Sequence, residues 1–215
     1  MSLKSDLETK IGEILGDTWS IRDGINVPSA EDLKLTNDAV KLDGVVLYAD
    51  MSESTYLVDQ YKAEFAAEIY KSYLHCAAKI IRSQGGEITA YDGDRIMAVF
   101  IGDSKNTSAT KAALKINYAR SKIINPSILK YYKNTKYSIK HTIGIDSSKL
   151  FVARTGIRGS NDLVWWEDLP IMRQNYVVYL AISLLELLLK CITYWMIAPN
   201  TLTAKACGKK YPGIP

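Results

Sequence analysis

Cysteine and histidine are scarce in this sequence. Its 215 residues include three cysteines, Cys76, Cys191 and Cys207, and two histidines, His75 and His141. Scattered, odd-numbered cysteines form neither a disulfide framework nor a zinc site, and they are typical of proteins from a reducing compartment. Two histidines also provide no His-rich metal cluster and no obvious catalytic triad. We therefore expect a cytoplasmic protein without zinc chemistry.

A strong charge bias is absent as well. The net charge is +4, with 23% charged and 47% hydrophobic residues, which is typical of a soluble globular protein. Several of the cations lie in the last residues, so the balance does not indicate a nucleic-acid partner. A glycine-rich phosphate loop with its lysine is missing, which argues against a P-loop NTPase. Residues 1–16 are amphipathic and carry acids, unlike a signal or transit peptide.

The hydrophobic pattern predicts an α+β domain that follows an N-terminal arm. Residues 3–15 predict a short helix, and glycine, proline and serine then mark an arm up to about residue 39. The βαββαβ order of the rest predicts a ferredoxin-like, mostly antiparallel sheet covered by helices on one face. The predicted elements are a strand over 44–50, a long helix from Ser54, a hairpin over 87–91 and 95–101, a helix over 107–123, and strands over 137–146 and 150–156 joined through 146–148.

Two aspartates follow predicted strands at one end of this sheet. Asp50 ends the first strand, and Asp94 stands beside Gly93 in the hairpin turn. Because both carboxylates then emerge at the same end of adjacent strands, they are candidate ligands for Mg²⁺ or Mn²⁺, with triphosphate oxygens and water completing the coordination. The alternative is that Asp50 caps the next helix and Asp94 only forms a turn.

A short polar loop joins the first strand to the long helix. Its free amides, together with the helix N-terminus, are suited to holding phosphates, although the signal is weak by itself. The loop consists of Met51, Ser52, Glu53, Ser54 and Thr55.

Two segments together indicate a family. YADMSEST (48–55) and GGEITAYDGDRIMAVF (85–100) resemble the paired signature of class III adenylyl and guanylyl cyclases, and the resemblance extends over 40–165. It implies a catalytic domain there, with Asp50 and Asp94 as catalytic ligands of two Mn²⁺ or Mg²⁺ ions and the Met51 carbonyl as a further ligand. It also implies that Tyr48 lies near the nucleotide, that residues 51–55 cradle the phosphates, and that a homodimer forms the sites between its protomers.

The expected purine-reading residues are absent. Adenylyl cyclases usually have lysine, and guanylyl cyclases often glutamate, four residues before the second aspartate, where this sequence has Ala90; Val164, near the second base-reading position, is also apolar. The motifs resemble those of the pyrimidine cyclases of Pycsar antiphage systems. That resemblance implies conversion of UTP to cyclic UMP, a messenger for a separate effector protein. The alternatives are a cytidylate cyclase, a purine cyclase with an atypical pocket, and a catalytically impaired cyclase fold that senses nucleotides.

The last fifty residues do not follow the family pattern. After Trp165 that pattern has a glycine, an arginine and an asparagine, whereas residues 166–215 form an atypical apolar tail. One extra nucleotide before codon 166 permits the reading Val-Gly-Arg-Pro-Ala-Asn-Tyr, which is close to the missing motif. We therefore interpret the tail as frameshifted. The competing hypothesis is a membrane anchor over 176–198, whose length suits a bilayer although Glu186 and Lys190 are costly there.

Overall fold

The computed structural model describes residues 2–167. Helices and strands are interspersed along the chain, and the longest helix lies between the second and third strands. The helices are α1 Leu3–Gly16, α2 Ser54–Gln60, α3 Ala63–Ser83, α4 Lys105–Ala119 and α5 Asn125–Tyr131, and the strands are β1 Ser20–Asp23, β2 Asp38–Ser52, β3 Glu87–Asp92, β4 Arg95–Phe100, β5 Lys140–Ile157 and β6 Ser160–Glu167.

These strands form a six-stranded sheet in the order β3-β4-β2-β5-β6, with β1 added beside β2. The β1–β2 pair is parallel. The other pairs, β3–β4, β4–β2, β2–β5 and β5–β6, are antiparallel. The α+β class, the βαββαβ order and the mostly antiparallel sheet are therefore confirmed. The central position of β2 places its last residues between β4 and β5.

The two faces of the sheet are covered differently. Alternate residues of β2, including Leu47 and Ala49, point into a core formed with the helices, where Tyr73 of α3 and Ile116 of α4 are almost fully buried. The opposite face carries a smaller core, to which the N-terminal arm contributes Leu33. Helices thus cover one face, as predicted, and part of the other face remains open near the end of β2.

The arm is part of the sheet, which the sequence did not indicate. Ser20–Asp23 pair with Asp38–Lys41, so β2 begins six residues before its predicted start at 44. Buried Asn37 donates from Nδ2 to the carbonyl oxygens of Ile14 and Asp17, both at 2.8 Å, and anchors the end of α1. The sheet therefore continues across the predicted boundary near residue 40, through the pairing of β1 with β2.

The predicted turn at 146–148 is also wrong. Asp146, Ser147 and Ser148 pair with Val46, Val45 and Gly44 of β2, and β5 runs unbroken to Ile157. Ladder hydrogen bonds on a long central partner outweigh the local turn preference of an Asp-Ser-Ser segment.

The predicted long helix from Ser54 is interrupted. Tyr61 is extended, with φ −123° and ψ 162°. Its ring stacks on Phe65 at 5.0 Å and meets the Tyr137 ring edge-on at 5.4 Å. Aromatic packing of this kind favours the break between α2 and α3.

The predicted helix over 107–123 begins two residues earlier and continues further. A π-helical turn over Arg120–Ile124 leads into α5, which has Pro126 in its first turn, where the missing N–H costs little. None of the helices within residues 2–167 combines the length and apolar character needed to cross a bilayer. The segment predicted as a possible anchor, 176–198, lies outside the described residues.

Candidate active site

The end of β2 presents its polar side chains on the open face of the sheet. Ala49 and Met51 point into the helix-side core, so strand alternation directs Asp50 to the opposite face. Asp50 pairs with Arg95 of β4, and the Met51 N–H donates to the Asp94 carbonyl oxygen at 3.4 Å. The structure thereby brings Asp50 and the Asp94 segment to one end of neighbouring strands.

The hairpin between β3 and β4 positions Asp94. Gly93 has φ +60°, a left-handed conformation that glycine adopts without steric cost and other residues rarely do. The two-residue turn therefore follows from the Gly93 position and returns the chain directly into β4 at Arg95. Asp94 lies at the edge of the open face, half-buried.

Negative charge accumulates around Asp50. Its carboxylate is 39% exposed, and Nε of Arg95 lies 3.6 Å from Oδ1. Burial raises the pKa of Asp50; the Arg95 charge opposes that rise, and the charges of Asp94 and Asp92 add to it. Three carboxylates thus act on one another here, with a single guanidinium in contact with Asp50 among the residues described.

Oxygen donors dominate this position. The carboxylates of Asp50 and Asp94 and the Met51 carbonyl are hard ligands, the kind that Mg²⁺ and Mn²⁺ prefer. Residues 2–167 contain no cluster of three or more His, Cys, Asp or Glu side chains arranged to hold a metal ion. Since Mg²⁺ commonly binds one or two protein carboxylates together with substrate phosphates and water, this donor set fits such an ion.

The loop after β2 is held by β5. Glu53 has φ +62°, the left-handed conformation, immediately before α2. Its carboxylate accepts two hydrogen bonds from Nζ of Lys140, at 2.9 and 3.1 Å. The Ser52 and Thr142 hydroxyls lie 3.5 Å apart, and the Tyr70 hydroxyl donates to the Ser54 carbonyl oxygen at the same distance. The Glu53 side chain is therefore engaged with Lys140, while Thr55 is exposed at the start of α2.

A polar network that includes buried Tyr73 and three half-buried side chains lies beneath the site, on the helix side of the sheet. The Tyr73 hydroxyl is 3.0 Å from Nδ1 of His141, and Nε2 of His141 is 3.2 Å from Oδ1 of Asn117. Arg120 donates to the same oxygen from Nε and Nη2, at 3.3 and 3.1 Å. Because Oδ1 only accepts, His141 must carry its proton on Nε2 and accept from Tyr73 on Nδ1.

The electrostatics of the network agree with a neutral histidine. Burial, followed by the positive charge of Arg120, lowers the pKa of His141 to about 3. Burial is also the main reason that the pKa of Tyr73 is raised, so its hydroxyl remains a donor. His141 pairs with Met51 across the sheet. Sequence reasoning missed this network because its members lie far apart in the chain and match no local motif.

Comparison with characterised proteins places these features in a family. The chain is 53% identical over 167 residues to a uridylate cyclase of Xanthomonas perforans, covering 77% of this chain and 72% of that protein. It is 50% identical, over the same number of residues and the same shares, to a uridylate cyclase of Burkholderia cepacia. This chain belongs to the uridylate cyclase family. No protein-family model matches it.

Solved structures with a similar fold are class III cyclases. The guanylyl cyclase Cya2 aligns with a TM-score of 0.54 at 17% identity, over 60% of this chain and 65% of that one. The adenylyl cyclase CyaB from P. aeruginosa aligns with a TM-score of 0.50 at 20% identity, over 69% and 74%. At these identities the likeness establishes the fold of the uridylate cyclase domain and nothing further.

In this member of the uridylate cyclase family, a β-bulge turns Ala90 towards the open face. The register of β3 on β4 shifts between Ile88 and Ala90, so Ile88 joins the helix-side core, whereas Ala90 packs in the opposite one. Ala90 pairs with Met97, which pairs with Tyr48. The structure thus brings Tyr48 and Ala90 onto one apolar surface.

Val164 lies elsewhere. It pairs with Ala153 of β5, whereas its neighbours Leu163 and Trp165 pack in the core that includes Ala90. Strand alternation therefore directs Val164 to the helix side of the sheet, and within one protomer it does not share a face with Ala90.

Proposed function

We propose that this protein converts UTP to 3′,5′-cyclic UMP and pyrophosphate, as a second messenger in antiphage defence. The observation that carries the proposal is the placement of Asp50 and Asp94 at one sheet end, in a chain 53% identical to a uridylate cyclase. Alanine at position 90, on the same face as Tyr48, supports a pocket without purine-reading charge.

Asp50 and Asp94 hold two Mn²⁺ or Mg²⁺ ions in this proposal, with the Met51 carbonyl as a further ligand. When bound, such ions would supply positive charge for the attacking ribose 3′-oxygen and for the leaving pyrophosphate. Asp50 and Asp94 would position them, since the two carboxylates emerge from adjacent parts of the sheet end. The loop formed by residues 51–55 lies beside them and presents its backbone to the phosphates.

The base-reading role of Ala90 follows from what it lacks. A methyl group offers no hydrogen bond and no charge, so a purine edge finds no partner at this position. Tyr48 lies on the same face, separated from Ala90 by buried Met97, and a pyrimidine that packs against Tyr48 is part of this proposal. UTP is favoured over CTP because the relatives that match most of this chain are uridylate cyclases.

The working assembly is a cytoplasmic homodimer with its sites between protomers, and its product acts on a separate effector protein. Residues 40–165 form the catalytic domain, which the strand at Ser20–Asp23 extends. For the tail over 166–215, of which the structure describes only Trp166 and Glu167 at the end of β6, we retain the frameshift proposal.

A second candidate is an impaired cyclase that still binds nucleotide. The departure of the tail from the family pattern favours it, since the residues after Trp165 do not follow the glycine, arginine and asparagine pattern of the family. Intact Asp50 and Asp94 favour the active enzyme.

The test is to incubate the purified full chain with UTP, CTP, ATP or GTP and Mn²⁺, and to identify products by mass spectrometry. We expect cyclic UMP from the parental protein and a loss of more than about two orders of magnitude in rate for Asp50→Ala and Asp94→Ala. Asp43→Ala, in the same strand but remote from the site, is the matched control and should retain the rate. A purine product, or near-parental turnover by either site variant, contradicts the proposal.

A further inference from the structure

Arg95 has no assigned role, yet it contacts a proposed metal ligand. It begins β4 directly opposite Asp50, and its Nε lies 3.6 Å from the Asp50 carboxylate. The two side chains are 42% and 39% exposed. A single partly exposed pair of this kind contributes little to stability, so a larger effect of Arg95 has to come from its position among several carboxylates. Fold stability alone therefore does not account for a guanidinium at this position.

The charges around Arg95 indicate what it does in the metal-free protein. Asp94 precedes it, Asp92 faces it across the hairpin, and Asp50 faces it from the other side. Among residues 2–167, Arg95 is the cation that pairs with Asp50, so in the metal-free protein it supplies positive charge to a group of three carboxylates.

We propose that Arg95 is a resident counter-ion that holds Asp50 in the metal-free protein and leaves it when a divalent cation binds. This inference rests on the proposed metal site. A guanidinium and a divalent ion at the same carboxylate repel each other, and this repulsion favours withdrawal of the more loosely held Arg95 side chain. Asp92 is a second acceptor within reach, because directly opposite residues on antiparallel strands have Cβ atoms about 5 Å apart.

If Arg95 and a metal ion compete for Asp50, Arg95 affects the stability of the metal-free protein and its affinity for metal in opposite directions. Arg95 stabilises the sheet end while no metal is bound, because it offsets repulsion among the three aspartates. It also weakens metal binding, because the ion must displace it. Arg95 thus raises the metal concentration at which the site fills, and removing its charge should lower that concentration.

The experiment measures Mn²⁺ binding to the full chain without nucleotide, from the electron paramagnetic resonance signal of the free ion. Arg95→Gln and Arg95→Met both remove the charge, and Met keeps an apolar stem. For each we expect a Kd for Mn²⁺ about tenfold lower than in the parental protein. Arg95→Lys retains a cation and should stay within about twofold of it.

A stability measurement separates this role from a structural one. In EDTA, Arg95→Gln should unfold at a lower urea concentration than the parental protein. Saturating Mn²⁺ should reduce the difference between the two urea midpoints. Lys105→Gln is the matched control: it removes a cation paired with Asp43 at 2.6 Å, far from the site, and should leave Mn²⁺ affinity unchanged.

The outcomes distinguish this inference from the proposed function. If the parental protein binds no Mn²⁺, the metal site itself is wrong and the inference fails with it. If the parental protein binds Mn²⁺ and both neutral variants bind it with equal or lower affinity, Arg95 is not a competing counter-ion and the metal site stands. A stability loss that is equal with and without Mn²⁺ assigns Arg95 a structural role only and overturns the inference.

Discussion

The half-buried histidine beneath the site, His141, should make the stability of this protein depend on pH. His141 has a pKa of about 3 in the folded chain, against an ordinary value of 6.5. The unfolded chain therefore takes up a proton below about pH 6.5 that the folded chain does not accept. Acidification thus favours the unfolded state, and the stability tied to neutral His141 falls as pH decreases from about 6.5 towards 3.

The magnitude follows from this difference. Each pH unit between the two pKa values corresponds to about 1.4 kcal/mol. At pH 5, protonation of His141 stabilises the unfolded state by about 2 kcal/mol relative to the folded state. At pH 7 this stabilisation is only a few tenths of a kcal/mol. Asp50 acts in the opposite direction, because its pKa is raised in the folded state. A comparison with a variant that lacks only His141 removes that contribution.

The assay is urea unfolding at pH 7 and pH 5 in EDTA, followed by circular dichroism. The glutamine of His141→Gln cannot titrate. At pH 7 this variant should be less stable than the parental protein, because the contacts with Tyr73 and Asn117 are weakened. Between pH 7 and pH 5, the free energy of unfolding of His141→Gln should fall by about 2 kcal/mol less than that of the parental protein. His75→Gln, which changes an exposed histidine of α3, is the control and should keep the parental dependence.

Two results would refute the reasoning. One is an equal loss of stability in the parental protein and in His141→Gln between the two pH values. The other is an imidazole resonance of His141 that titrates near 6.5 in the folded protein, since neutral His141 with its proton on Nε2 is the basis of the prediction.

Three further predictions concern the base, the core and the tail. Ala90→Lys should lower UTP turnover while dimerisation by sedimentation stays unchanged, and an unchanged rate places Ala90 outside the pocket. Gly86→Ala should lose about 1–3 kcal/mol on urea unfolding, because its Cβ would lie 2.6 Å from the Phe100 ring. Gly12→Ala, with open space around it, is the control. One nucleotide added before codon 166 should raise cyclic nucleotide yield at equal protein concentration, and equal yields would favour a genuine tail.

The sequence pattern was sufficient for the features that depend on local geometry. A strand that carries Asp50 near its end, at Ser52, and a tight turn containing Gly93 and Asp94 are determined by residues close in the chain, and the structure brings the two segments together. The roles of the predicted site residues as ligands and nucleotide contacts stay predictions, which the variants above test. The family resemblance, by contrast, is confirmed by the uridylate cyclases that match most of the chain.

Local signals were insufficient where strand pairing competes with them. Residues 146–148 have turn chemistry, yet they lie inside β5 because β2 offers a partner along the whole length. Ser20–Asp23 similarly become a strand only beside β2. Such pairings join residues distant in sequence, so no window of the chain contains them.

By itself, then, the sequence determined the βαββαβ core order and the fold class, and it pointed to two aspartates at one sheet end, because alternation, turn residues and spacing are properties of short segments. Only the tertiary structure decided which groups surround those aspartates. Arg95 reaches Asp50 across the β2–β4 pair, and His141 meets Tyr73 from an element nearly seventy residues away. The physical reason is that charge and burial act through space, so the pKa of Asp50 and the protonation of His141 depend on neighbours that folding alone brings together.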